Sequence, residues 1–233
     1  MDMRPGKGIT AAQSDEHQRN WSERGWDHAT KNGNYDRSRE HLNFEIVKGG
    51  IIRPVDKSRT ITGRMADNLR ERGIEDPNAK LAEPKFRTVV NIIFGGSRER
   101  MHELAFGGQR IDLAHGADNS HVRRHKDIEE WAKDMYTFAC GQWGEENVIG
   151  FVVHLDEMNP HVHCTVLPVK DGRFKYKELF GGANKYEYKA HITRLHDELA
   201  KVNEKWGLFR GNSIAVTGAK HRTTEEYRRA LSE

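Results

Sequence analysis

The stretch "VVHLDEMNPHVHCTVLPV", beginning at Val152, sets two apolar, strand-like runs on either side of a short loop, LDEMNP, closed by Pro160. So short a connection between two such runs predicts an antiparallel hairpin. Side chains two residues apart on a strand share a face, so His161 and His163 project together while Val162 projects the other way. The first run ends at His154, which the hairpin brings back beside that pair. Burying several imidazoles without partners is costly. Converging on one point, with acids nearby, they make a donor set for a divalent cation that leaves positions open for water or a substrate oxygen. Asp156 and Glu157 lie in the loop, where either one completes the coordination shell or holds a ligand imidazole from behind.

The rest of the chain predicts strands at 41–47, 87–96, 148–155, 161–169 and 213–218. Helical periodicity is clearest over 127–143, closed by Gly144, and over 186–206, closed by Gly207. A shorter helix is predicted through "TGRMADNLRERG", and another from Thr224 to the end of the chain, while 73–84 and 106–121 read as loops. Strands interleaved with helices around a central hairpin predict an α+β fold, with an antiparallel-type sheet of about five strands covered by helices. A chain of 233 residues fits one domain spanning 1–233. Its last residues continue a helical pattern, so either that helix finishes the domain or a further C-terminal region follows, to which any oligomerisation is assigned.

Charged residues make up 31% of the chain, and no apolar run approaches the length that crosses a bilayer. The start, "MDMRPGKGIT", lacks the apolar stretch of a secretory signal, so a cytoplasmic protein is expected. Cys140 and Cys164 are the only cysteines and read as reduced core residues. A net charge of +3 says little about partners, but basic residues cluster. Arg19, Arg24, Lys31, Arg37 and Arg39 lie close to Trp21 and Trp26, and Lys220 and Arg222 form a second group. Cations interleaved with flat side chains suit a single-stranded nucleic acid, whose backbone needs charge and whose bases need stacking surfaces.

"HLDEMNPHVH" resembles the third motif of the MobV (Pre/Mob) family of plasmid mobilization relaxases, members of the HUH class of single-strand endonucleases. "SREHLNFEI" is similar to that family's second motif and "EHQRN" to its first, although here arginine follows the histidine by two residues rather than three. The resemblance implies a relaxase that nicks and rejoins one strand at an origin of transfer, with His17 as the nucleophile and a 5′-phosphohistidine intermediate. It implies Mn²⁺ or Mg²⁺ at His154, His161 and His163, with Mn²⁺ favoured and Zn²⁺ compatible with the same ligands. Glu157 then orients His17 or moves a proton, Asp156 supports a ligand, and Asn43 and Glu45, which share a face of their strand, support the site. The expected partner is single-stranded or hairpin DNA. Tyr35 and His28 are rival nucleophiles, in that order. Two other readings stay open: a rolling-circle replication initiator that uses a tyrosine, and a metal-stabilised DNA-binding module without catalysis.

Overall fold

The computed structural model describes residues 1–31 and 33–211. In chain order its elements are β1 (Asp2–Gly6), α1 (Ala11–Gln18), α2 (Glu23–Thr30), a 3-10 turn (Arg37–Leu42), β2 (Phe44–Val47), β3 (Ile51–Arg53) and α3 (Ile61–Glu71). There follow β4 (Val89–Phe94), α4 (Arg98–Phe106), α5 (Lys126–Trp143), β5 (Val148–His154), β6 (His161–Val166), β7 (Val169–Lys170), β8 (Arg173–Phe174) and α6 (Lys185–Glu204). Six strands form one sheet in the order β1-β4-β6-β5-β2-β3, and β7 and β8 form a small separate hairpin. Every neighbouring pair is antiparallel, and the predicted hairpin, β5–β6, lies at the centre. The fold is therefore the α+β arrangement expected, with one strand more than expected in the main sheet.

Alternation along the central strands divides the sheet into two unlike faces. On the first, Phe44, Ile46, Val90, Ile92, Phe94, Phe151, Val153, Val162, Cys164 and Val166 pack against α4, α5 and α6 in the main core. Each large apolar side chain buried there contributes about 1.5–3 kcal/mol. On the second face, α3 covers the lower half through Ile61, Met65 and Leu69, which pack with Val89, Ile149 and Leu167. A Cβ at Gly150 would lie 3.3 Å from Ile61, so glycine there admits the start of α3 against the strand. The upper half of this face carries the histidines.

The helices at 127–143 and 186–206 are present within a residue or two, and each stops at or just before a glycine with positive φ, Gly144 and Gly207. The predicted strand at 41–47 begins only at Phe44, because residues up to Leu42 wind into the 3-10 turn. The strand predicted over 161–169 ends at Val166. Strand β1, a mostly exposed edge containing Pro5, has too little apolar alternation to be foreseen. The predicted strand at 213–218, the helix from Thr224, Lys220 and Arg222 lie outside the described residues. No helix among the described residues is long and apolar enough to cross a membrane.

Candidate active site

Register pairs His154 with His161 and Val152 with His163 across β5 and β6, so all three imidazoles occupy one face at one end of the hairpin. The connecting loop adds a carboxylate. One ligand atom each from His154, Glu157, His161 and His163 lies within 4.8 Å of every other. Hydrogen bonds fix two of the tautomers. His154 donates its Nε2 proton to the His17 carbonyl at 2.7 Å, which leaves its Nδ1 lone pair bare, 3.3 Å from Glu157 Oε1. His161 donates from Nδ1 to the Asn159 carbonyl at 2.8 Å, so its Nε2 lone pair faces His163 Nε2 at 2.8 Å and Glu157 Oε1 at 3.8 Å.

Neutral His163 can donate its one proton from Nε2 to His161 Nε2, but any further proton is disfavoured here. Burial first, then Arg19, lowers the His154 pKa, and burial followed by the neighbouring imidazoles holds that of His163 well below the ordinary value. Burial alone would raise the Glu157 carboxyl, but His161, His154 and Arg19 outweigh it and keep the group ionised. Buried His154 Nδ1 has no partner among the described residues. Three neutral imidazoles, two of them with a lone pair turned to the cluster, and one carboxylate oxygen fit a divalent cation, for which His163 would carry its proton on the other nitrogen.

His17 completes the cluster from α1. This helix has no apolar stripe, and hydrogen bonds hold it instead: Ser14 Oγ and Gln18 Oε1 accept from the Ile61 N–H at 2.9 and 3.1 Å, while Gln18 Nε2 donates to the Asp56 and Arg59 carbonyls. Thr10 and Gln13 form a capping box at its start. His17 therefore sits buried in the last turn, with its ring 4.2 Å from that of His163. Burial, then His154, Arg19 and His161, lowers its pKa to about 3, so the ring is neutral at ordinary pH. The rivals are placed differently. Tyr35 donates its hydroxyl to Glu16 Oε1 at 3.2 Å, and burial followed by Glu157 and Glu16 raises its pKa, while His28 is exposed at the end of α2.

Several residues assigned to DNA from sequence have other partners. Arg19 is buried and closes α1 in the left-handed region at φ 52°. Its guanidinium spans both oxygens of Asp156, at 2.8 and 3.0 Å, and reaches Glu157 Oε1 at 2.5 Å. Arg39 is equally buried and donates to the Leu155 and Glu157 carbonyls and to Asp36. Neither guanidinium is free for phosphate, since each has its hydrogen bonds inside the protein. Trp26 is core, 3% exposed, and offers no stacking face. Half-buried Trp21 meets Trp26 and Tyr35 edge-on, with Arg19 over its ring. Arg37 is paired with Glu23 through two bonds of 2.6 Å. Exposed Arg24 and Lys31 form no ion pair among the described residues.

Glu45 stands apart from the cluster: its buried carboxylate binds Arg53 and Arg64 at 2.7 and 2.8 Å and joins β2 to α3. Asn43 Oδ1 accepts from the Leu155 N–H at 2.7 Å, steadying the chain just after His154. Asp156 gives both its oxygens to Arg19 and so supports the loop from outside the ligand group. Two further residues had no sequence signal. Asn34 donates to Glu157 Oε2 at 3.0 Å, and the Asp36 N–H donates to the Asp156 carbonyl at 2.7 Å. Both lie in a polar segment without periodicity, and their partners are far along the chain.

Comparison with known proteins gives a consistent picture. A family model described as "Plasmid recombination enzyme" (Mob_Pre) matches residues 109–229, just over half of the chain. Plasmid recombination enzyme type 1 of Staphylococcus aureus is 37% identical over 107 residues, covering 45% of this chain and 25% of that protein. Type 3 from the same species is 35% identical over 112 residues, covering 48% and 25%. The matched part thus spans about a quarter of the length of these relatives. Among solved structures, a Mn-bound MobM relaxase domain on oriT DNA superposes with a TM-score of 0.66 at 20% identity, over 99% of this chain and 98% of that one. A second such complex gives 0.64 at 19% identity, over 98% of each.

Proposed function

The chain belongs to the family of plasmid recombination enzymes, and from that premise we propose that it is a relaxase domain that nicks and rejoins one DNA strand at a plasmid origin of transfer. The observation that carries this reading is the neutral ring of His17, centred 4.2 Å from that of His163 and tilted 35° to it, at the edge of the His3Glu donor set. His17 is the nucleophile. A nitrogen lone pair of its imidazole attacks the scissile phosphorus, a P–N bond forms, the P–O3′ bond breaks, and the departing 3′-oxygen takes up a proton. The phosphoramidate retains the free energy of the broken ester, so attack by the 3′-hydroxyl reverses the step and frees the imidazole.

A divalent cation held by His154, Glu157, His161 and His163 would supply Lewis-acid neutralisation of charge on the non-bridging phosphate oxygens. Manganese is favoured because the MobM relaxase domains of the same fold are Mn-bound, and the three imidazoles with one carboxylate would accept it as they would zinc. Glu157 serves as a ligand in this arrangement, since its Oε1 faces the imidazoles. Arg19, Arg39 and Asn34 hold that carboxylate and its loop. Asn43 steadies the residue after His154. Tyr35, bonded to Glu16 and kept protonated, is poorly placed to replace His17.

Incubation with single-stranded origin-of-transfer DNA and Mn²⁺, followed by denaturing electrophoresis and peptide mass spectrometry, tests the reading. A protein–DNA adduct on His17 is expected, lost in His17→Phe and retained in Tyr35→Phe. Undiminished adduct in His17→Phe overturns it.

A further inference from the structure

Beside the metal loop lies a cavity of about 340 Å³, walled by Thr30, the segment from Gly33 to Arg39, the loop from Asp112 to Asp118, and Met158. It shares its backbone with the candidate active site. Tyr35 pairs with Glu157 as an isolated β-bridge, the Met158 N–H donates to the Asn34 carbonyl at 3.2 Å, and the Asn34 side chain holds Glu157 Oε2. A group seated here is therefore only side chains away from the cluster that would hold the scissile phosphate.

We propose that this cavity is a pocket for one unstacked nucleobase of the DNA strand next to the cleavage point, and that it selects a base bearing an exocyclic amino group over thymine; the proposal rests on the relaxase reading above. Pockets of roughly 300 Å³ or more accept groups of small-ligand size, and enzymes acting on single strands read splayed bases by pocket shape and edge hydrogen bonds. The lining is mixed in the way a base requires. Tyr35 and Leu113 offer apolar surface, and Leu113 remains 39% exposed at the rim.

Charge decides which part of a nucleotide enters. Arg37 and Arg39 line the cavity too but are tied to Glu23 and Asp36, which leaves Asp112 and Asp118 as carboxylates without an ion pair among the described residues; these repel a phosphate but accept from amino hydrogens, as acids do from cytosine N4. Intramolecular bonds keep all three aspartates in place: Asp112 accepts from the Ala114 N–H, Asp118 from the Ser120 N–H, and Asp36 from Arg39 and Asn119. The phosphate is left to the exterior, where exposed Lys31 follows the cavity residue Thr30 and has no ion pair among the described residues.

The test is selection from a single-stranded DNA library with a randomised core, in EDTA, comparing the unaltered protein with Ala114→Trp, whose indole would fill the pocket from an exposed loop position. The unaltered protein is expected to enrich adenine, cytosine or guanine over thymine by at least about tenfold at one position, the discrimination a single good edge contact provides. Ala114→Trp should lose that preference alone, with the same thermal midpoint and the same enrichment elsewhere. Identical enrichment by both proteins, or thymine at the position lost, overturns the pocket while adduct formation leaves the relaxase reading standing. No enriched sequence from the unaltered protein overturns the pocket as well, and the adduct assay then decides separately on the relaxase reading.

Discussion

His154 donates its Nε2 proton to the backbone carbonyl of His17, so one imidazole both turns its other nitrogen toward the donor cluster and anchors the helix that carries the neighbouring ring. His161 has no such second task, since its far nitrogen bonds to Asn159 within its own loop. Replacing either residue by alanine should weaken Mn²⁺ binding by at least about tenfold, measured by calorimetry. Only His154→Ala should also speed amide hydrogen exchange in the last turn of α1. Equal exchange in the two variants would separate metal binding from helix anchoring.

Arg19 and Asp156 form an ion pair with side chains 2% and 0% exposed. Removing one partner from such a pair strands the other charge in the interior, at a cost of about 3–5 kcal/mol. Arg19→Met should therefore lower the urea midpoint of the metal-free protein steeply and leave the salt dependence of DNA binding unchanged. A stable variant with a shallower salt slope would return Arg19 to the DNA surface.

Protons should compete with folding at the cluster. His17 is held at about 3 in the folded state, against an ordinary value of 6.5, by burial and then by His154, Arg19 and His161. Between those values the unfolded chain binds the extra proton, so stability is complete above about pH 6.5 and falls as the pH drops toward 3. Burial shifts His154 and His163 in the same direction. Urea unfolding in EDTA should show a lower midpoint at about pH 5 than at neutrality, and His17→Phe should flatten the trend. A midpoint that rises on acidification contradicts the assignment.

Exposed cations without internal partners should carry the electrostatic part of DNA binding. Arg24 and Lys31 meet that description among the described residues, whereas Arg37 is tied to Glu23. Alanine at Arg24 or Lys31 should reduce the slope of log affinity against log salt by about 0.7 for single strands. Fluorescence anisotropy across a salt series measures it, and an unchanged slope in both variants places the backbone elsewhere.

How much of this was legible depended on what holds each part in place. The hairpin announced itself because side-chain alternation is a property of each strand alone, and pairing across so short a loop puts three histidines on one face. Helix α1 was not legible as a buried element, since its anchors are Ser14 and Gln18 rather than an apolar stripe. Arg19 and Arg39 read as surface cations because nothing local marks their partners, which lie 137 and 116 residues away. Glu45 was misplaced for the same reason: its face was foreseen, but not the arginines that neutralise it.

The apolar packing that holds the main core lies on one side of the sheet, and the imidazoles stand on the other. The main core is thus laid down apart from the imidazoles, while the buried Arg19–Asp156 pair and the His154 bond to the His17 carbonyl weld the reactive side to the fold.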